Sequence, residues 1–110
     1  MIRVNIKPLS VNEAWQGRRF KTDAYKQYEQ DLMFILPNTK IHLEPKKKYQ
    51  IYFKWGFSSK ASDFDNPIKP TMDLLSKRYG FNDKLLRRAV IETEIVPKGN
   101  EFFEFNISEL

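Results

Sequence analysis

Lys48 to Phe57 reads KYQIYFKWGF, and its alternation decides the fold. Tyr49, Ile51, Phe53, Trp55 and Phe57 fall on one side of an extended chain. Lys48, Gln50, Tyr52, Lys54 and Gly56 fall on the other. Side chains of a strand point alternately to opposite faces, so this run is a strand with one buried face. Such a face needs a cover, and two helical patterns supply it. Upstream, Thr22 caps a helix expected to run to about Leu36, with Tyr25, Tyr28, Leu32 and Ile35 on its apolar stripe and Pro37-Asn38 stopping it. Downstream, a second helix is expected from Asn66 or Pro67, with Ile68, Met72, Leu75 and Tyr79 inward and Gly80 ending it.

The flanks complete the architecture. Ile2 to Ile6 alternates as a short strand, and Lys7 to Lys21 reads as a long loop punctuated by Pro8, Ser10, Asn12 and Gly17. Arg88 to Val96 reads as a strand, Pro97 to Asn100 as a turn, and Phe103, Phe105 and Ile107 as a last strand closing a terminal hairpin. The order β-α-β-α-β-β predicts an α+β fold: one small domain over residues 1–110, a mixed sheet, and two main helices packed on it.

Composition bounds the function. A chain of 110 residues can bury one core, and an aromatic content of 15% enlarges it. The absence of cysteine excludes disulfides and thiolate zinc sites. No run is long and apolar enough for a membrane span and no apolar h-region follows Met1, so a soluble, cytoplasmic protein without a membrane partner is expected. The net charge of +5 favours polyanions, although for any single basic cluster solvated surface is the favoured reading.

Against that charge, Asp63 and Asp65 stand one residue apart at the start of the second helix. In an extended segment they face one point, about 7 Å apart. Like charges that close repel unless a cation lies between them or one stays protonated, which suits a hard ion such as Mg²⁺. The plainer reading is that Asp65 or Asn66 caps the helix. Asp83 has the same two readings, as a third ligand or as a cap on the short turn that follows it. Lys69 is placed to reach a phosphate, or to pair with Asp73 four residues on. No Ser-His-Asp or Cys-His set is present, and the single histidine, His42, lies outside every cluster.

DFDNPIKPTMDLL, Asp63 to Leu75, resembles the signature Asp-x-Asp-Asn-x-x-Lys-x-x-x-Asp-[Ala]-Leu of the RusA-like endodeoxyribonucleases, with Asp63, Asp65, Asn66, Lys69 and Asp73 in register. IKPLSVNEAW is similar to the family's opening strand and Asn-containing loop, and GFNDKLL to its later acidic segment. The resemblance implies a homodimeric Holliday junction resolvase that nicks two strands of a four-way DNA junction. It implies Mg²⁺, with Mn²⁺ able to substitute, held by Asp63, Asp65 and Asp83, with Lys69 as active-site cation. Asn12, Arg18, Arg19, Lys21, Lys60 and Lys69 are the expected DNA contacts, and Trp15 and Phe20 are candidate stacking groups. No small-molecule cofactor is expected. A basic DNA-binding module without catalysis and a protein-interaction domain are the competing readings.

Overall fold

The computed structural model describes residues 1–10, 15–16, 20–38, 41, 43–44, 46–60, 62 and 64–110. Strand β1 is Ile2–Val4, β2 is Trp15–Gln16, β3 is Phe20–Lys21, β4 is Tyr49–Phe57, β5 is Leu86–Ile95 and β6 is Phe102–Glu109. Helix α1 is Asp23–Ile35 and α2 is Ile68–Tyr79, with a 3₁₀ turn over Asp83–Leu85. The result is a small compact α+β fold with a mixed four-stranded sheet ordered β1-β6-β4-β5.

Strand β4 carries the core. All five of its odd-numbered residues are buried, and Phe53 and Trp55 have no exposure at all. The helices cover this face with Tyr25, Tyr28, Leu32 and Leu36 from α1 and its end, and Met72, Leu74 and Leu75 from α2. The expected stripe of α1 changes at one place: Ile35 is exposed and Leu36 is buried instead, because a 3-4-4 spacing keeps the stripe on one side of the helix. Both predicted boundary signals work. The Thr22 hydroxyl accepts the Tyr25 N–H at 3.1 Å, and Gly80 takes the left-handed conformation (φ 75°) that ends α2.

Two expectations are corrected. Strands β5 and β6 are not a hairpin. Strand β4 lies between them, parallel to β5 and antiparallel to β6. Burial decides this. Phe102, Phe103 and Phe105 of β6 are all buried, so β6 belongs inside the sheet, whereas β5 has no fully buried residue and fits an edge. The connector crosses the end of β4, where the Val96 N–H donates to the Phe57 carbonyl at 2.7 Å and the Ser58 hydroxyl donates to Glu101 at 2.9 Å. The early loop also carries structure of its own, since β2 and β3 pair antiparallel, Trp15 opposite Lys21. Strand β1 is shorter than expected because a turn from the Ile6 N–H to the Val4 carbonyl closes it.

Candidate active site

The segment from Phe57 to Ile68 leaves the sheet and starts α2. Its first turn forms where the Ile68 N–H meets the Asp65 carbonyl at 3.1 Å. The N-cap of α2 is Pro67, which has no side-chain hydrogen bond to give. Asp65 therefore does not cap the helix; its side chain is exposed and has no hydrogen bond or ion pair among the described residues. Asp63, its expected partner, lies outside the described residues, as do Asn12, Arg18, Arg19 and His42. The side chains of Trp15 and Phe20 lie outside them too.

The acidic segment after α2 divides its work between neighbours. Asn82 caps the 3₁₀ turn, its side-chain oxygen accepting the Lys84 N–H at 3.0 Å. Asp83 is left exposed beside it with no side-chain partner among the described residues. Of the two, Asp83 is the one available as a ligand. Strands β4 and β5 are neighbours, as convergence of the acidic groups requires, but they run parallel. Asp83 thus enters beside Tyr49, at the opposite end of β4 from Phe57. The Tyr49 hydroxyl is buried with no hydrogen-bond partner among the described residues, and its pKa is pushed up to about 12 by burial first and by Asp83 second.

Lys69 lies in the first turn of α2. Its ammonium donates to Asp73 at 2.9 Å, one helical turn on. That hydrogen bond is the main cause of its raised pKa; burial opposes it, and the charges of Asp73 and then Asp83 add lesser upward effects. The structure shows the surface pair with Asp73, four residues beyond Lys69. The pair itself adds only a few tenths of a kcal/mol, because Lys69 is 64% exposed. No group of three His, Cys, Asp or Glu side chains able to hold a metal is found among the described residues.

A cleft of about 260 Å³ opens at the start of α2, lined by Lys7, Ser10, Ser58, Ser62, Asn66 and Glu101 among others. Sequence reading passed over it; the serine density of SSKAS was its signal. Glu101 is held below the usual carboxylate range first by its own backbone N–H, then by Ser58. The cleft places the Lys7 ammonium beside the signature segment. Lys60, next to Ser59 in the chain, is exposed, while Lys21 is half-buried with its ammonium 4.7 Å from the Tyr25 ring centre.

Several other basic residues are occupied structurally. Lys77 pairs with Glu29 at 2.9 Å and Lys47 with Glu44 at 3.0 Å, and Arg78 bonds to Asn38 and to the Pro37 carbonyl after α1. Among the described residues no helix is long and apolar enough to cross a membrane. No family model matches the chain, and no curated protein matches it.

Proposed function

We propose that the chain is a metal-dependent, structure-selective DNA endonuclease of the RusA-like type, nicking two strands of a four-way junction as a homodimer. The observation that supports this reading best is the placement of Lys69: an ammonium held at 2.9 Å by Asp73, four residues after Asp65, in the register of the signature. Asp65 and Asp83 add to it, because neither does the capping that would explain it otherwise.

The donor set fits a hard divalent cation: carboxylate oxygens open to water, with no sulfur or imidazole. Asp63 and Asp65 would hold Mg²⁺ or Mn²⁺, and Asp83, which enters beside Tyr49, is the third ligand that the resemblance implies. When bound, such an ion supplies Lewis-acid polarisation of a phosphodiester and activation of water. The chain's own part is to bind and orient. Lys69 holds its positive charge where charge develops on the phosphate, and Asp73 fixes the ammonium. Lys7 donates hydrogen bonds to backbone oxygens of the DNA, with Lys60 and Lys21 adding charge.

Asp65→Asn tests this. It keeps the size, removes one charge and disturbs no cap. Cleavage of a labelled four-way junction in Mg²⁺ should fall by about a hundredfold or more, the scale of losing one directly acting group. Folding should survive, and junction binding without metal should be kept or tightened. Lys69→Ala should lose cleavage while Mn²⁺ binding persists. An Asp65→Asn protein that cuts at near the parent rate ends the assignment. Junction binding with no Mg²⁺-dependent cleavage in the parent protein favours the non-catalytic DNA-binding module.

A further inference from the structure

Strand β5 is the edge of the sheet and spans ten residues, LRRAVIETEI. Among the described residues nothing pairs with its outer side. Edge strands are usually protected by shortness, proline, lysine or bulges, because their free N–H and C=O groups template pairing. Strand β5 has no proline and no lysine, and its one irregularity is at its first residues, between Tyr49 and Gln50 in the register with β4. It is exposed on both faces: Val90 is 39% and Ile95 51% accessible.

Its charges are arranged in sequence with opposite signs at opposite ends. Arg87 and Arg88 open the strand, and Glu92 and Glu94 close it. A parallel copy would set arginine against arginine. An antiparallel copy sets arginine against glutamate, so the charges that would block indiscriminate pairing specify one orientation.

The hydrogen-bond phase fixes the register further. Phe57 is level with Ile95, and the Val96 N–H donates to the Phe57 carbonyl. In a parallel ladder the bonds go to the residues flanking the level one, so even-numbered groups of β5 face β4 and odd-numbered groups face outward. An antiparallel partner must therefore match odd to odd. With a two-fold axis at Val90, Ala89 meets Ile91 in hydrogen-bonded pairs, Val90 meets Val90, and Arg88 meets Glu92 twice. Arg88 has no ion-pair partner among the described residues. Glu92 spends one oxygen on the Tyr52 hydroxyl, at 3.0 Å, and keeps the other.

We propose that β5 is the homodimer interface, joining two sheets into one eight-stranded sheet through an antiparallel β5–β5 pair centred on Val90. The occupant is a second copy of this chain, because an antiparallel copy of the same strand sets Arg88 against Glu92 twice and brings no like charges opposite each other. Such an interface is isologous and closes after two copies. Both helical layers then lie on one side of the joined sheet, which puts both Lys69 side chains on the side from which one DNA molecule can be met. The second copy is the one that two-strand cleavage calls for, so the interface rests on that reading.

Assembly is measured without DNA, by sedimentation equilibrium at about 1–100 μM. The parent chain should be a dimer. Glu92→Arg replaces two attractive cross-strand pairs by two repulsive ones and should weaken the dimer about tenfold or more. Arg88→Glu combined with Glu92→Arg restores the pairs and should restore the dimer. The chain has no cysteine, so Val90→Cys is a clean reporter. Non-hydrogen-bonded partners have Cα atoms about 4.5 Å apart, within disulfide reach, and mild oxidation should give a covalent dimer. Glu94→Cys should not, since its copies are roughly 25 Å apart in this register. A parent chain that is monomeric at about 100 μM, a dimer unaffected by Glu92→Arg, or no covalent dimer from Val90→Cys overturns the interface. A dimer that cuts no junction overturns the nuclease reading alone; a monomer that cuts one overturns the interface alone.

Discussion

Adding one methyl group to Gly56 should destabilise the protein, though a strand usually gains from such a change. Gly56 lies on β4 opposite Phe102 of β6, on the face without helices. A Cβ at this position would stand 2.3 Å from two ring carbons of Phe102. Carbon atoms rest about 3.5–4.0 Å apart, so the ring must retreat by more than about 1 Å. It has nowhere to go. Phe102 is 1% exposed, and the Arg3 guanidinium lies 3.8 Å from the ring centroid. Overpacking of this kind costs about 1–3 kcal/mol. The stiffer unfolded chain returns about 0.4–1 kcal/mol. Gly56→Ala should therefore lose up to about 2.6 kcal/mol net and about 1.3 at mid-range, the latter a Tm drop of roughly 5–10 °C for a domain this size. Urea unfolding followed by circular dichroism measures it, with the midpoint moving and the slope unchanged. In a Phe102→Leu background the ring is gone, and the same change should cost much less, a coupling that a double-mutant cycle isolates. If Gly56→Ala is as stable as the parent, Phe102 does not lie across Gly56 and the β4–β6 register is wrong.

Three further outcomes follow from contacts already described. Thr71 has no exposure and shares a 2.9 Å hydrogen bond with the buried Tyr28 hydroxyl, so Thr71→Val should lower unfolding free energy by about 1–3 kcal/mol in denaturant titration. Asn82→Ala removes the cap of the 3₁₀ turn and should cost about 0.5–2 kcal/mol, while Asp83→Asn should leave stability nearly unchanged and abolish Mg²⁺-dependent cleavage. Burial raises the pKa of Tyr25, before the charges of Asp73 and Glu29, and that of Tyr49, both from 10.0 to about 12. The folded state holds these phenol protons longer than the unfolded chain does, so their contribution is complete below pH 10 and is lost as pH rises through 12. Alkaline unfolding should accompany phenolate absorbance over that window; a fold equally stable at both limits would contradict the burial of these tyrosines.

Sequence alone made the core legible because β4 has one dry face, and a period of two over five large side chains admits one reading. Thr22 and Gly80 were legible for a similar reason: a hydroxyl before a helix and a glycine after it each do one local job. The order of the last strands was not legible. Pro97 to Asn100 turns the chain equally well for a hairpin or for a crossing over the end of β4, and only the burial of three phenylalanines in β6 distinguishes them. The carboxylates posed the same difficulty at a smaller scale. Capping and ligation call for the same residue types at helix starts, and the choice fell to backbone details: Pro67 occupying one cap and Asn82 the other.

The two faces of β4 have different consequences for how the sequence can drift. Odd positions sit against helices and share a fixed volume. Even positions carry polar cross-strand partners: Gln50 with Ser108 at 3.2 Å, Tyr52 with Glu92 at 3.0 Å and Lys54 with Glu94 at 3.5 Å. These contacts are exposed or partly exposed, so each can be exchanged, reversed in sign or lost for a few tenths of a kcal/mol. A lineage of this fold can therefore change the charge of half its central strand while keeping its core. Gly56 is the one even position outside that freedom, and an alignment of distant descendants would show it as a fixed point in a variable column set.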